Sequence, residues 1–423
     1  MVKNFFFFVL TIVIFYSCAK DATITFINPH NVERPDEVVV ITKEKLVQKT
    51  GRFEGSFPVF KYQDNSLVPY QLDDINNDGD WDEVALLLDF GAGENLNVKV
   101  ERLDNQSKKP VFEKRTNLRL GIKQIDGSFK EVKHYQALPC SDGFEVIAQG
   151  ESVSWENDKM AFRNYFDCRN IKDLFGKRTT EMVIDKINTP EMGSYHELAD
   201  WGMDVLHCGS SLGSGGLALM KDDSLFRLGS TEVYEYQKIT EGPVRSVFEL
   251  RYDGWEVDGE ILKAVERISV YPGKYWFESE VTVTGCPEGS QIVTGIVTSH
   301  FKKEPFEFNT AEFKCLGTHD VQSLNNDELG MAAIVPLDEA GKTGRTSDIN
   351  FFELGFETVR EKGFSQIISE TTYIGQKCLS GQPAKHYFFA VWGLENNQWK
   401  TEEGFRQYIT KEAAKLTEKI HFY

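Results

Sequence analysis

Runs of β-branched and aromatic residues, separated by Gly, Pro and Asp, recur along most of the chain and constrain its fold more than any other feature. They read VVVITKEKL, VALLLDF, FEVIAQG, RSVFELRYDGW, ERISVYPGKYWFESEVTVTG, QIVTGIVTSHF and AKHYFFAVWG. Because no helical pattern intervenes between these runs, a parallel βαβ design is excluded and antiparallel pairing is expected. The 423 residues, 41% hydrophobic and 13% aromatic, can bury a substantial core. The pattern therefore predicts an all-β fold.

The texture of the sequence changes at NQSKKPVFEKRT, residues 105–116, which is polar, charged and contains proline. We expect a small N-terminal β domain over residues 18–110 and a large antiparallel β-sandwich catalytic domain over residues 111–423. One helix is predicted at the C-terminus, where Thr401 can cap it. Its apolar side chains fall on one stripe, formed by Phe405, Tyr408, Ile409, Leu416 and Ile420.

The N-terminus has the pattern of an export signal. Lys3 precedes an apolar run, residues 5–16, that is too short to span a bilayer comfortably, and Ser17 stands just before Cys18. This pattern resembles a bacterial lipoprotein signal over residues 1–17, which implies cleavage before Cys18 and lipidation of its thiol. An ordinary signal peptide with an incidental cysteine is the alternative. We expect an exported lipoprotein in the periplasm or on the outer-membrane surface, held to the membrane through its lipid anchor only.

The formal charge of −18 gives a field that repels nucleic acid and anionic lipid, so an anionic ligand must meet a local cationic pocket. The six cysteines after Cys18 are dispersed and form no CxxC pair, which leaves zinc-ribbon and thioredoxin readings unsupported. An exported location permits disulfides, and buried free thiols are equally compatible with the spacing.

The motif DDINNDGDWDE matches the first half of a calcium loop. Its alternating oxygen ligands are Asp74, Asn76, Asp78 and Asp80. The second half does not match, because Ala85 stands where the loop needs a bidentate Glu, although Asp82 or Glu83 could substitute. Structural calcium and a solvated acidic turn held by Asx hydrogen bonds are the two interpretations.

The stretch SYHELADWGMDVLH contains His196, Asp200, Asp204 and His207 at helical spacing, which suggests a metal site. Gly202 and the following GSSLGSGG run disfavour a stable helix, so a catalytic His196 is the better hypothesis. The run GSSLGSGG lacks the features of a nucleotide-binding loop and is typical of a turn. Trp201 would suit a cleft in which a sugar ring stacks.

The run MAFRNYFDCR, residues 160–169, alternates like a strand with Phe162 on its apolar face. The other face presents two guanidiniums, a phenol and a carboxylate, from Arg163, Tyr165, Asp167 and Arg169. NIKDLFGK adds Asp173 and Lys177, and GPVRSVFELRYDGW repeats the arrangement from Arg245. These charges either pair across neighbouring strands of an exposed sheet or hold an acidic sugar in a cleft.

Several blocks together resemble a bacterial, Bacteroidota-type family long left as a domain of unknown function. They are NVERPDEVVVI, VPYQLDDINNDGDWDEVALLLDF, AFRNYFDCRNIKDLFGK, HELADWGMDVLHCGSSLGSGGLAL and GPVRSVFELRYDGW. That family occurs among polysaccharide-degradation genes and includes an oligosaccharide dehydratase of ulvan breakdown. The resemblance implies a large sandwich of the supersandwich, mutarotase-like type and an acidic oligosaccharide, with or without sulfate groups, as substrate. It also implies loss of water from the nonreducing-end uronic acid, with no required cofactor.

This reaction defines what the site must supply. A guanidinium, from Arg163 or Arg169, must neutralise the uronate carboxylate as the C5 proton leaves. A base must take that proton and an acid must protonate the C4 hydroxyl, roles for which His196 and Tyr165 are the candidates in either order. Further substrate contacts are expected from Trp201, Lys177, Arg245 and His300. The alternatives are a glycoside hydrolase with two carboxylates, such as Asp167 and Asp204, and a carbohydrate-binding surface lipoprotein without catalysis.

Overall fold

The computed structural model describes residues 22–53, 55–104, 109–137, 147–229, 231–349, 351–355, 357 and 367–423. The predicted signal segment and the predicted lipidation residue Cys18 lie outside the described residues. Within the described ranges, no helix has both the length and the apolar character needed to cross a bilayer.

The first part of the chain forms two small antiparallel sheets and one helix. Its strands are β1 (Ala22–Ile27), β2 (Arg34–Thr42), β3 (Phe57–Lys61), β4 (Tyr70–Asp73), β5 (Glu83–Phe90) and β6 (Asn95–Leu103). Helix α1 (Lys43–Thr50) begins where the Thr42 hydroxyl accepts from the Lys45 N–H at 3.4 Å. Strand β5, which is the run VALLLDF with the glutamate before it, is buried along most of its length, as expected for a strand covered on both faces.

The remainder of the chain is dominated by strands that continue the numbering. They are β7 (Thr116–Arg119), β8 (Gly121–Lys123), β9 (Phe129–Glu131), β10 (His134–Ala137), β11 (Ser152–Asn157), β12 (Met160–Tyr165), β13 (Lys172–Lys177), β14 (Gly202–Asp204), β15 (Ser214–Lys221), β16 (Ser224–Arg227), β17 (Val233–Glu241), β18 (Ser246–Val257), β19 (Glu260–Val270), β20 (Trp276–Thr284), β21 (Gln291–Val297), β22 (Phe306–Asn309), β23 (Phe313–Val321), β24 (Glu328–Pro336), β25 (Ala340–Arg345), β26 (Thr371–Lys377), β27 (Pro383–Trp392) and β28 (His421–Phe422). The helices are α2 (Phe351–Leu354) and α3 (Glu402–Thr417), with short 3-10 turns at Gln149–Glu151, Ile184–Lys186 and Asn397–Lys400.

These strands build two layers. One layer is a nine-stranded sheet in the order β10-β17-β18-β19-β20-β27-β24-β23-β22. The other consists of two five-stranded sheets, β14-β13-β12-β11-β7 and β16-β15-β21-β26-β25, joined by a bridge between Lys172 and Gly213. Aromatic side chains fill the space between the layers: Trp155 of β11 lies 5.4 Å from Phe248 of β18, and Phe162 of β12 lies 5.0 Å from Phe277 of β20 (ring centroids). The predicted all-β antiparallel sandwich is confirmed.

The C-terminal helix is also confirmed. The Thr401 hydroxyl accepts from the Gly404 N–H at 3.2 Å and caps α3, whose Phe405 and Ile409 are fully buried. Ile420 lies beyond the helix, in the segment that leads into β28. Strand β28 pairs with β1 and so completes the N-terminal sheet, whose order is β28-β1-β6-β3.

Candidate functional site

The charged face of MAFRNYFDCR is set by the pairing of β12 with β13. In their antiparallel register Arg163 stands opposite Asp173. Phe162 points into the sandwich core, so its neighbour Arg163 points to the outer face. The segment after β13, residues 178–201, covers that outer face and packs Tyr195 against Phe175. Arg163 is therefore buried, with 3% of its side chain exposed.

Arg163 is held by two carboxylates. Its Nε and Nη2 donate to Asp173 Oδ2 at 2.8 and 2.5 Å, and Nη2 also donates to Asp204 Oδ2 at 2.7 Å. The guanidinium carbon lies 4.9 Å from the ring centres of Tyr165 and Phe175. A single cation thus holds two buried carboxylates, and its donors are engaged within the protein.

Tyr165 lies between the two arginines that the sequence placed on its face. The guanidinium carbon of Arg169 is 4.0 Å from its ring centre, on a side chain that also binds Asp167 and Glu151. The Tyr165 hydroxyl donates to Asp173 Oδ2 at 3.0 Å and accepts from Arg163 at 3.0 Å. Burial and the charge of Asp173 raise the pKa of Tyr165 well above its usual value, although Arg163 opposes the shift. The phenol is therefore kept protonated.

His196 is the solvent-facing member of this group. Its Nδ1 lies 3.4 Å from Asp204 Oδ2, and 59% of its side chain is exposed, against 3% for Asp204. The hydrogen bond to Asp204 raises the pKa of His196 above its ordinary value, with burial acting against it. Burial and the charge of Asp173 raise the pKa of Asp204, and Arg163 opposes this. We call His196, Asp204, Arg163, Asp173 and Tyr165 the Arg163 cluster.

The backbone around His196 is fixed by a tight turn rather than by the helix that the His/Asp spacing suggests. The Asp204 N–H donates to the Tyr195 carbonyl at 2.8 Å, which anchors the residue before His196. Ala199 and Gly202 exchange backbone hydrogen bonds, and Gly202 has φ +132°. A Cβ at Gly202 would lie 1.8 Å from the Gly176 carbonyl oxygen, so only glycine permits this approach of β14 to β13.

Two predicted substrate contacts lie elsewhere in the molecule. Lys177 is fully buried, and its Nζ donates to Glu156 Oε2 and to the Asn157 carbonyl, both at 2.7 Å. Arg245 is buried at the junction with the N-terminal sheets, where its Nε donates to Asp73 at 2.7 Å and its Nη2 to Glu83 at 2.6 Å. The structure does not bring either cation to the Arg163 cluster.

The remaining predicted contacts, Trp201 and His300, lie outside the Arg163 cluster. Trp201 is partly buried against Phe175, and its indole Nε1 has no hydrogen-bond partner among the described residues. His300 is exposed and stacks on His207, with ring centroids 5.7 Å apart and planes 12° apart. Among the described residues, neither Trp201 nor His300 contacts Arg163.

The acidic loop between β4 and β5 is built from Asx hydrogen bonds. Asp74 accepts from the Asp78 and Gly79 N–H groups at 3.1 and 2.9 Å, Asn76 accepts from Asp78 at 2.8 Å, and Asp80 pairs with Lys43. No group of three or more His, Cys, Asp or Glu side chains in the described ranges is arranged to hold a metal ion. Calcium binding here stays a prediction.

The sequence did not predict that Asp173 and Asp204 both bind Arg163. Their convergence on one guanidinium depends on the pairing of β12 with β13 and of β13 with β14, in which Asp204 stands opposite Phe175. The alternation of Arg163 and Asp173 on adjacent predicted strands was the available signal, and cross-strand pairing was one of the two interpretations drawn from it. The structure shows the pairing, but in a buried layer instead of on an exposed sheet.

The chain is similar to a family model, to a curated protein and to solved structures. The family model described as "Domain of unknown function (DUF4861)" matches residues 27–421. "Uncharacterized protein P7" of Formosa agariphila is 23% identical over 436 residues, covering 97% of this chain and 96% of that protein. Two solved structures from Enterococcus faecalis also match over 95% of this chain: an alpha-mannosidase (TM-score 0.48, 8% identity) and a protein in the Glycosyl Hydrolase Family 38 (TM-score 0.49, 9% identity). The chain spans about half of their lengths, 46% and 47%.

Proposed function

The chain belongs to the DUF4861 family, and from this membership together with the geometry at His196 we propose that it removes water from the uronic-acid end of an acidic oligosaccharide. The observation that carries the proposal is an exposed imidazole whose Nδ1 rests on a buried carboxylate. This arrangement is that of a general base whose second nitrogen is available to a substrate. The resemblance of the sequence blocks to a family that includes an oligosaccharide dehydratase supports the same reaction.

In the proposed reaction His196 removes the C5 proton. With Nδ1 directed at Asp204, Nε2 is the nitrogen that a substrate can reach, and Asp204 stabilises the imidazolium that forms. The electrons of the C5–H bond form the C4=C5 double bond, and the C4–O bond breaks. The imidazolium then returns its proton to the departing hydroxyl, which leaves as water. Histidine is thus both base and acid, and the enzyme ends the cycle unchanged.

Tyr165 is assigned a positioning role by its hydrogen bonds. A phenol whose proton is donated to Asp173, and whose pKa is raised by burial, is a poor base at neutral pH. Its oxygen accepts from Arg163 Nη2, the nitrogen that also donates to Asp204. We infer that Tyr165 holds the guanidinium, and through it Asp204, in the orientation that His196 requires.

Arg163 and Arg169 are assigned different electrostatic roles. Arg163 is engaged by Asp173 and Asp204, and with 3% exposure it does not reach a substrate. Arg169 has 19% of its side chain exposed above the Tyr165 ring. We infer that Arg169 meets the substrate carboxylate and lowers the cost of enolate-like charge at C5, whereas Arg163 opposes the rise in the pKa of Asp204.

The test is incubation of the purified protein with saturated uronyl-rhamnose oligosaccharides, followed by ultraviolet absorbance and mass spectrometry. Loss of one water with new absorbance is the expected result. The His196→Ala variant should lose about 10²–10⁴-fold in rate, the usual contribution of a general acid–base group. Two smaller sugars would instead identify a glycoside hydrolase, and unchanged sugars a binding protein; either would overturn the proposal.

The matched control is His134→Ala. His134 resembles His196 in exposure, 54%, and in pairing with an acid, Glu235 at 3.3 Å, but lies on β10 in the nine-stranded sheet. Its removal should leave the rate unchanged. Equal losses in the two variants would show that the His196 effect is not specific to the site.

A further inference from the structure

A second group of polar residues lies where the chain leaves the Arg163 cluster. His207 follows Asp204 by three residues, which an extended chain spans in ~10 Å. Its exposed ring stacks on His300, and the Ser299 hydroxyl donates to the His207 carbonyl at 3.0 Å. The imidazoles of His207, after β14, and His300, after β21, are thereby held next to each other.

Glu370 supplies a buried acceptor next to these rings. It is 9% exposed, and its Oε2 has no hydrogen-bond partner among the described residues. Its backbone has φ +48°, a left-handed conformation that is strained for a residue with a side chain. Its N–H donates to Ser347 and its carbonyl accepts from the Thr298 N–H, at 2.8 and 2.7 Å. The structure thus holds a strained residue with an unused carboxylate oxygen.

Gly209 shows that Glu370 and His207 border the same space. A Cβ built at Gly209 would lie 3.1 Å from Glu370 Oε2 and 3.7 Å from His207 Cε1. We call His207, Gly209, His300 and Glu370 the second polar site. An unpaired buried oxygen such as Glu370 Oε2 indicates a missing hydrogen-bonding partner.

The charges around this space select a neutral, hydroxyl-bearing ligand. The carboxyl group of Glu370 disfavours an anion such as a sulfate. Burial, His207 and Lys302 lower the pKa of His300, so this ring is uncharged at neutral pH. The ammonium of Lys302, which contributes to that shift, disfavours a cation. A sugar hydroxyl can donate to the Glu370 oxygen, and a sugar ring can lie against the imidazole.

We propose that the second polar site binds the neutral sugar that follows the terminal uronic acid of the substrate. This inference rests on the proposed function for the identity of the neighbouring sugar. The short chain connection between Asp204 and His207 supports placing the two sites along one oligosaccharide. The second site would then set the preference for substrates longer than a single uronic acid.

The test measures binding by titration calorimetry in the His196→Ala background, which separates affinity from turnover. The ligands are glucuronic acid alone and a uronyl-rhamnose disaccharide. Gly209→Asn fills the shared space, and asparagine tolerates the φ of +52° found there. His300→Ala removes the exposed ring without altering the backbone. Each variant should weaken disaccharide binding about tenfold and leave glucuronic acid binding unchanged.

Gly127→Asn is the matched control, because Gly127 also has positive φ, +84°, but no atom lies within 4 Å of its Cβ position. Equal disaccharide affinity in Gly209→Asn, His300→Ala and the parent would overturn the inference, as would equal weakening of both ligands. Length-dependent binding without dehydration by the unaltered protein would overturn the proposed function and leave the second site standing. Absence of binding to either sugar would overturn both.

Discussion

Asp204 contributes both to the charge balance of the Arg163 cluster and to the proposed catalysis by His196. It accepts from Arg163 and faces His196, so it both stabilises the buried cation and sets the pKa of the imidazole. The base must be neutral to accept a proton, and its folded pKa lies above the ordinary value because of Asp204. Activity should therefore fall as the pH drops through that raised pKa.

The Asp204→Asn variant tests this relation. Removing the negative charge should lower the pKa of His196, so the acidic limb of the kcat/KM profile should move to lower pH. The maximal rate should also fall, because the imidazolium loses its carboxylate partner. Asp167→Asn changes a neighbouring carboxylate that binds Arg169 and should leave the limb in place. A limb that does not move in Asp204→Asn would mean that the titrating group is not His196.

The sequence predicted the members of the Arg163 cluster better than their roles. Alternation along MAFRNYFDCR placed Arg163, Tyr165 and Arg169 on one face, and both arginines do contact the Tyr165 ring. The burial of Arg163 could not be foreseen, because it depends on a covering segment, residues 178–201, that lies 15–38 residues further along the chain. The hydrogen bond from the Tyr165 hydroxyl to Asp173 depends on the pairing of β12 with β13, so the sequence left the base and acid roles open between Tyr165 and His196.

At the scale of the element, β13 contains three charged residues, and each forms a buried ion pair with a different strand. Lys172 points into the sandwich and pairs with Glu266 of β19 at 2.9 Å, Asp173 pairs with Arg163, and Lys177 pairs with Glu156 of β11 at 2.7 Å. Removing one partner of a buried pair leaves an uncompensated charge. Strand β13 therefore depends on its charges for stability as well as on its apolar side chains.

Lys177→Met is accordingly predicted to lower the free energy of unfolding by about 3–5 kcal/mol, because Glu156 would remain buried without its cation. The KM of the remaining folded enzyme should not change, since Lys177 is fully buried away from the Arg163 cluster. Urea denaturation and steady-state kinetics measure the two effects. Lys263→Met, at an exposed pair with Asp253 on the nine-stranded sheet, should not measurably alter stability. A raised KM with unchanged stability in Lys177→Met would restore the substrate contact expected from the sequence.

The positions of the strands along the chain were easier to predict than the order in which the strands pair. The run VALLLDF became β5 and AKHYFFAVWG became most of β27 because their apolar residues suit a covered strand. Pairing order was beyond reach, since β27 lies between β20 and β24, far away in sequence. The short β14 was also missed, because its strand is created by the close approach that Gly202 permits.

At the scale of the whole molecule, polar contacts join the N-terminal sheets to the sandwich. Arg245 at the start of β18 binds Asp73 and Glu83, and Gln71 accepts from the Val244 and Arg245 N–H groups at 2.9 Å. Arg34 of β2, fully buried, donates to the Lys415 and Glu418 carbonyls at the end of α3, both at 2.6 Å. Together with the pairing of β28 to β1, these contacts make the N-terminal sheets depend on the C-terminus of the chain.

The two layers of the sandwich carry a pair of thiols that could covalently link them. Cys286 follows β20 of the nine-stranded sheet, and Cys378 follows β26 of the five-stranded sheet. Both are free, and their Sγ atoms are 3.0 Å apart, whereas Cys168 is disulfide-bonded. In an oxidising compartment, which the predicted export would provide, the pair should close a loop of 92 residues.

Closure of this loop should raise the stability by up to about 4–5 kcal/mol in the chain-entropy model, because the unfolded chain loses freedom. Treatment with diamide should remove two thiols from alkylation, lower the mass by two hydrogens and raise the unfolding temperature. Cys286→Ser should abolish all three changes without affecting dehydration, since the pair lies outside the Arg163 cluster and the second polar site. If both thiols still alkylate after oxidation, or if bond formation lowers the unfolding temperature, the segments that contain Cys286 and Cys378 cannot accept the disulfide without distorting the two layers.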